Sequence, residues 1–278
     1  MIKLIVSGDD FGLHSSINEA IEDSFQNGIL TSASVVVTGE AIEEAVKIAE
    51  RNPNLGIGLH ITLIEEKSLT IAPNLAPEGR FPENHNRLAK DILLKKIPSI
   101  ELENEIEAQI LYAKKHFKNL THIDSHRHLH MLPGIYSVVR RLMKKHELNK
   151  MRYVRVPFFD YRKDQLFKNI LSLVFHLLGF IRIGIETPDY FWGFMESGNM
   201  NERKLMNLIE KLSEGVWEIG LHPGKSNHSL KEKYPLWDNY YTYQFSWEDE
   251  WKALMSDKIS ALIKNKNIEL VNFQKVVQ

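Results

Sequence analysis

The chain has 278 residues, of which 43% are hydrophobic and 26% charged, with a formal net charge of −1. That is the balance of a globular protein with a sizeable core and no global field to recruit nucleic acid or an anionic membrane. With Cys 0, disulfides, thiolate nucleophiles and Cys-ligated metals are excluded, so any metal must be held by His, Asp or Glu.

The first predicted strand, IKLIVS, runs into two adjacent carboxylates, Asp9 and Asp10, followed at once by Phe11-Gly12. It leaves no room for a basic n-region, an apolar h-region and a cleavage site, so the expected location is cytoplasmic. The segment SSINEAIEDSFQNG then reads as a helix, with Ser15 or Ser16 as N-cap, Ile17, Ala20, Ile21 and Phe25 on one face, and Gly28 beyond its end. The strand SASVVVT, the helix EAIEEAVKIAERNP and the strand LGIGLHI follow, the last carrying His60 near its exit.

An irregular stretch from about Thr62 to Pro98, with three prolines before the last, precedes the helix LENEIEAQILYAKKHF and the strand THIDS, closed by Asp124 and His126. After the helix IYSVVRRLMKKHEL come the strand YVRVP, with Arg155, and a weaker strand near IGIETP. Between them LFKNILSLVFHLLGFIRIGI is apolar, but Lys168, His176 and Arg182 interrupt it. It reads as a core or interface helix, and a homodimer or a lid is predicted over Leu166–Ile183. The helix ERKLMNLIEKLSEG leads to the strand VWEIGLH, ending in His222. A second irregular stretch, from Pro223 to Ser246, a helix within EDEWKALMSDKISALIKN and a last strand, IELVNF, complete the chain.

Strand and helix alternate through seven or eight units with no break in composition. The first turn also lacks G-x-G-x-x-G, so a (β/α) barrel over residues 1–278 is expected in place of an open doubly wound sheet. In a barrel, chemistry gathers at the C-terminal ends of the strands. Asp9, Asp10, His60, Asp124, His126, Arg155 and His222 all fall there, and Ile-Gly-Leu-His occurs twice, at 57–60 and 219–222. The two long irregular stretches, near 62–98 and 223–246, are then rim loops that wall a site. Imidazoles and carboxylates without Cys suit zinc or a harder divalent ion, and two His with one Asp leave positions open. In HIDSHRHLHM, period two aligns Asp124, His126, His128 and His130, whereas helical spacing pairs His126 with His130. The spacing leaves the ligand open; His126, nearest the strand exit, is the choice, with His128 and His130 as outer support or substrate wall.

At these residues the sequence resembles the YdjC-like (ChbG/HpnK) carbohydrate deacetylase family. The resemblance lies in SGDDFG, GLH and THIDSHRHLH, supported by NGILTSASVVVTG and LHPG, and extends from the first strand through LHPG. Ser7, Gly8 and His14 depart from the usual pattern without touching the proposed ligands. The resemblance implies a NodB/polysaccharide-deacetylase-like barrel, with one divalent ion (Mg²⁺ or Zn²⁺) held by Asp10, His60 and His126. It also implies hydrolysis of the acetyl group from an N-acetylated sugar or oligosaccharide. Asp9 is then expected as general base and His222 as general acid, with Arg155 orienting Asp9 or binding the sugar and His128 against the substrate. The alternatives are a metal-dependent hydrolase of another bond, such as a phosphoester, and a non-catalytic sugar-binding relative.

Overall fold

The computed structural model describes residues 1–157, 166–177, 184–235, 237 and 245–276. The chain opens with β1 (Ile2–Phe11), α1 (Ser15–Asn27), β2 (Ser32–Val35), α2 (Ile42–Arg51) and β3 (Gly56–Ile61). After the first rim segment, which carries α3 (His85–Leu93), come α4 (Ser99–His116), β4 (Leu120–Ser125) and α5 (Pro133–Lys145). The second half holds α6 (Leu166–Leu177), β5 (Tyr190–Trp192), α7 (Glu202–Lys211), β6 (Gly215–Leu221) and α8 (Asn227–Lys233). It closes with α9 (Trp247–Leu254), α10 (Asp257–Asn265) and β7 (Glu269–Leu270).

Every ladder is parallel, in the order β4-β3-β2-β1-β6-β5, with β7 beside the start of β1. Parallel neighbours require crossovers, and amphipathic helices supply them. On α4, for instance, Leu102, Ile106, Ile110 and Ala113 are buried at helical spacing. The outcome is a parallel partial barrel in which the regular ladder is open between β4 and β5.

The predicted strand YVRVP is the reason for that opening. Arg155 N–H bonds back to the Tyr153 carbonyl, a tight turn that breaks regular pairing. The segment still spans the gap through single contacts, Arg152 N–H to the Ile123 carbonyl on one side and Phe191 N–H to the Arg155 carbonyl on the other. The weak strand near IGIETP reduces to one bridge at Glu186, and the ladder starts instead at Tyr190. The cap of α1 also differs from expectation, since His14 Nδ1, and neither Ser15 nor Ser16, accepts from the Ser16 N–H.

Alternation along the strands builds an interior in layers. At the floor, Ile5 packs with Val271, Phe273 and Val276, and the His122 ring stacks on Phe273 at 3.6 Å between centroids. A Cβ on Gly58 would sit 2.3 Å from that imidazole, so this inward position of β3 must be glycine. Above lie Ser34, Asp124, Arg152 and Glu218, all buried, and above these the ends of the strands. On the outside, α6 leaves Leu166 at 67%, Ile170 at 53%, Leu173 at 44% and Val174 at 42% exposure. Residues 178–183, the remainder of the predicted interface segment, lie outside the described residues, as do Tyr240, Tyr241 and Tyr243 of the second rim loop. Among the described residues, no helix is long and apolar enough to cross a membrane.

Candidate active site

Adjacent residues of a strand face opposite ways, so Asp9 and Asp10 could not both reach one site from a regular β1. The register with β2 shifts between Gly8 and Phe11, and Asp10 takes a left-handed backbone with φ 66°. This bulge turns the second carboxylate inward beside the first; aspartate is among the few residues that tolerate the conformation. Both carboxylates are buried, Asp9 at 3% and Asp10 at 0% exposure.

Asp10 Oδ1 lies 3.0 Å from His126 Nδ1 and 3.6 Å from His60 Nε2. The ligand-type atoms of Asp10, His60 and His126 all fall within 4.8 Å of one another. His60 donates through Nδ1 to Asp124 Oδ1 at 2.8 Å, which leaves Nε2 facing Asp10. A carboxylate on the far nitrogen is the usual orienting device of a metal-binding imidazole. Two buried atoms here, Asp10 Oδ2 and His126 Nε2, have no hydrogen-bond partner among the described residues. Neighbouring buried acceptors without a protein donor suit a cation, so this donor set fits one divalent ion. Burial alone would raise the Asp10 carboxyl, but the charges of His126, His60 and His222 hold it below its usual value. His60, which burial would lower, is lifted to about 9 by Asp124 and the neighbouring aspartates.

Arg152 is the hub beneath. Its guanidinium bonds Asp9 through both Nη atoms, reaches Asp124 Oδ2 at 2.8 Å and gives Glu218 Oε1 bonds from Nε and Nη2 at 2.8 and 2.7 Å. Burial opposes its charge, yet the three carboxylates keep that charge secure, well above the usual arginine range. Burial also opposes ionisation of Asp124, but Arg152 and His60 outweigh it and hold Asp124 well below its ordinary value. Glu218 is left on the other side of the balance, pushed up by burial to about 7.

His222 follows β6 and faces the same cavity of 530 Å³ as Asp9, His60, His126 and His128. Its Nε2 is 4.0 Å from Asp9 Oδ2, and its Nδ1 is 3.6 Å from Oε2 of the buried Glu250. Burial would strip its proton, but Glu250, with Asp10 and Asp9 beyond, lifts His222 above its usual value. A histidine biased toward its protonated form is suited to donate a proton.

Neither spacing considered for HIDSHRHLHM holds, because the chain turns into a short 3₁₀ segment in which Arg127 and His128 both have φ 54°. His126 stays over Asp10. His130 drops into the core between Ser125 Oγ, 2.7 Å from its Nδ1, and the Arg152 carbonyl, which accepts from its Nε2 at 2.9 Å. His128 lines the cavity against Phe191 and Phe194. Arg155 is not brought to the site: its guanidinium lies 5.4 Å over the Tyr190 ring, and the partner expected of it by Asp9 is Arg152 instead.

Arg152, Glu218 and Glu250 are functional residues that the sequence alone does not single out. Glu218, Gly220 and His222 share one face at period two, and Arg152 interrupts an apolar run. Nothing local in the chain ties these signals to one another. Glu250, in the acidic first turn of α9, is indistinguishable in sequence from an ordinary helix-dipole residue.

Residues 3–265 match the family described as YdjC-like protein. The chain belongs to the YdjC-like family. A carbohydrate deacetylase of Clostridium beijerinckii is 26% identical over 278 residues, covering 99% of this chain and 100% of its own length. Another of Brevibacillus brevis is 28% identical over 278 residues, with coverage of 99% and 100%. A solved structure from Enterococcus faecalis, of a candidate cellobiose-phosphate cleavage protein, superposes with a TM-score of 0.76 at 24% identity, covering 100% of this chain and 99% of that one. That likeness bears on the fold: the family architecture is the α/β, parallel partial barrel described above.

Proposed function

We propose that this chain is a metal-dependent deacetylase that hydrolyses the acetyl group from N-acetylated sugars or oligosaccharides. The observation that carries the reading is the pairing of Asp9 and His222, 4.0 Å apart on one cavity wall, beside the Asp10, His60 and His126 donor set. Full-length relatives named carbohydrate deacetylase support the substrate class.

When bound, a divalent cation supplies Lewis acidity there, polarising the acetamide carbonyl and acidifying water. Two imidazoles and a carboxylate suit Zn²⁺ and also accommodate Mg²⁺. Asp9, fixed by Arg152 on both oxygens, retains lone pairs toward the cavity and takes the proton of the attacking water. Water oxygen bonds to the carbonyl carbon, the C–N bond breaks, and protonated His222 gives its proton to the leaving nitrogen. The products are acetate and the free amino sugar. Glu250 accepts the His222 backbone N–H and sets its negative charge 3.6 Å from the ring Nδ1, which favours the protonated imidazole.

A two-metal phosphoester hydrolase would need a second carboxylate-lined ion position. Two further donor groups exist among the described residues, Asp9 with His60 and Asp124, and His122 with Asp124 and Glu218, but their carboxylates are all paired with the Arg152 guanidinium, which favours the one-metal reading. Acetate release from N-acetylglucosamine oligosaccharides, measured before and after chelation, tests it. Release that a chelator leaves untouched would remove the metal from the mechanism, and none from any acetylated sugar would remove the activity.

A further inference from the structure

The cavity that holds Asp9, His60, His126 and His222 also has an apolar wall. Ala89 on α3, Leu129 and Leu132 after β4, Phe175 on α6 and Phe194 after β5 line it. All but Ala89 belong to elements that border the opening of the ladder between β4 and β5, or that pack on the segment spanning it.

That wall is preformed. The Tyr153 hydroxyl, from the spanning segment, donates to the Phe175 carbonyl at 2.5 Å, and the Lys168 ammonium donates to the Phe194 carbonyl at 3.2 Å. Both bonds tie α6 to the rim. The Phe175 and Phe194 rings meet edge to face at 6.3 Å between centroids, and the His128 ring stands 5.6 Å from that of Phe194.

Its place matches the one substituent that the polar residues leave over. The amide carbon under attack carries four groups. Asp9 faces the incoming water, His222 the nitrogen, and the Asp10, His60 and His126 donor set the carbonyl oxygen. The fourth group is the acyl chain, which is left the part of the cavity that these residues do not line. Five apolar side chains offer more surface than the methyl of an acetyl group can cover. They carry no donor or acceptor for a sugar hydroxyl, so they match methylene groups.

We infer that this wall is an acyl pocket deeper than acetyl requires, and that the chain also removes propionyl and butyryl groups from N-acylated amino sugars. The inference rests on the deacetylase reading for the reaction itself. One water is consumed, the C–N bond breaks as the C–O bond forms, and the products are the free amino sugar and propionate or butyrate. Ala89 and Phe194 are the residues that set the length of chain accepted.

The test compares kcat/KM for release of glucosamine from its N-acetyl, N-propionyl and N-butyryl derivatives with the metal-loaded enzyme. Each added methylene is expected to raise kcat/KM by up to about fourfold, the effect of burying one such group. Ala89→Leu, which fills the pocket, is expected to cut the butyryl-to-acetyl ratio by about tenfold. A kcat/KM that falls from acetyl to propionyl, or a ratio that Ala89→Leu leaves unchanged, would overturn the pocket. Calorimetry of the wild-type protein with acetate, propionate and butyrate reads the pocket without catalysis. Binding that tightens along that series supports it even if no N-acyl sugar is hydrolysed, in which case only the deacetylase reading fails. Acetate binding as tightly as butyrate overturns it.

Discussion

Asp9 and Arg152 meet through two parallel hydrogen bonds, Nη1 to Oδ2 at 2.7 Å and Nη2 to Oδ1 at 2.8 Å, with both side chains buried. The fork fixes the plane of the carboxylate, which a point charge cannot do. Arg152→Lys is therefore expected to keep the fold but lower kcat by about 100-fold, the scale of misplacing a catalytic group by an ångström. Arg152→Met leaves three carboxylates in the core without their cation, and should cost about 3–5 kcal/mol in chemical denaturation. An unchanged midpoint for Arg152→Met would mean that the hub does not hold the interior together.

The two aspartates of the bulge should separate by assay. Asp9→Asn keeps the shape and the donor set but cannot accept the proton of water, so turnover is expected to fall by about 10²–10⁴ with metal content unchanged. Asp10→Asn replaces a carboxylate ligand with a weaker amide oxygen and should lose metal first. If Asp9→Asn loses the ion while Asp10→Asn keeps both ion and turnover, the two roles are exchanged.

Removing an imidazole should empty the centre without unfolding the barrel, because His60 and His126 sit at the strand ends and not among the apolar side chains. His60→Ala and His126→Ala are expected to retain the wild-type circular dichroism spectrum and to bind metal at well below one equivalent. Stoichiometric ion in either variant by elemental analysis would take that residue out of the donor set.

Acid should destabilise the protein through two buried histidines. Burial lowers His122 to about 3 and His130 to about 4, so each stays neutral in the folded chain. In the unfolded chain each takes up a proton near 6.5. Their stabilising contribution is therefore complete above 6.5 and is lost as pH falls from there toward the folded values, at about 1.4 kcal/mol per pH unit per histidine. Glu218, held at about 7, has the opposite sign: its contribution is present below about 4.5 and is lost as pH rises through 7. Comparing His122→Phe with wild type isolates one histidine, and the variant's stability should fall by about 1.4 kcal/mol less per pH unit between 6 and 4. Parallel pH profiles for the two proteins would show that His122 is already protonated when folded.

The sequence by itself determined the alternation of parallel strands and covering helices, because periods of two and 3.6 are local properties of the chain. It also determined which strand ends carry titratable groups; the choice of Asp10, His60 and His126 among them is what the family resemblance implies, and the folded chain brings their ligand-type atoms within 4.8 Å of one another. The tertiary structure alone decided that YVRVP would turn instead of pairing, so that Arg152 and not Arg155 reaches Asp9. That choice depends on three carboxylates from β1, β4 and β6 converging on one buried point, and their attraction acts only once the strands are assembled. The same holds for His130, which left the site for the core when two left-handed residues turned the chain after β4, and for Trp237 and Glu65, which come together across 172 positions. Local pattern carries burial and period; the partner of a buried charge is a long-range property, set by which low-dielectric point the fold closes around.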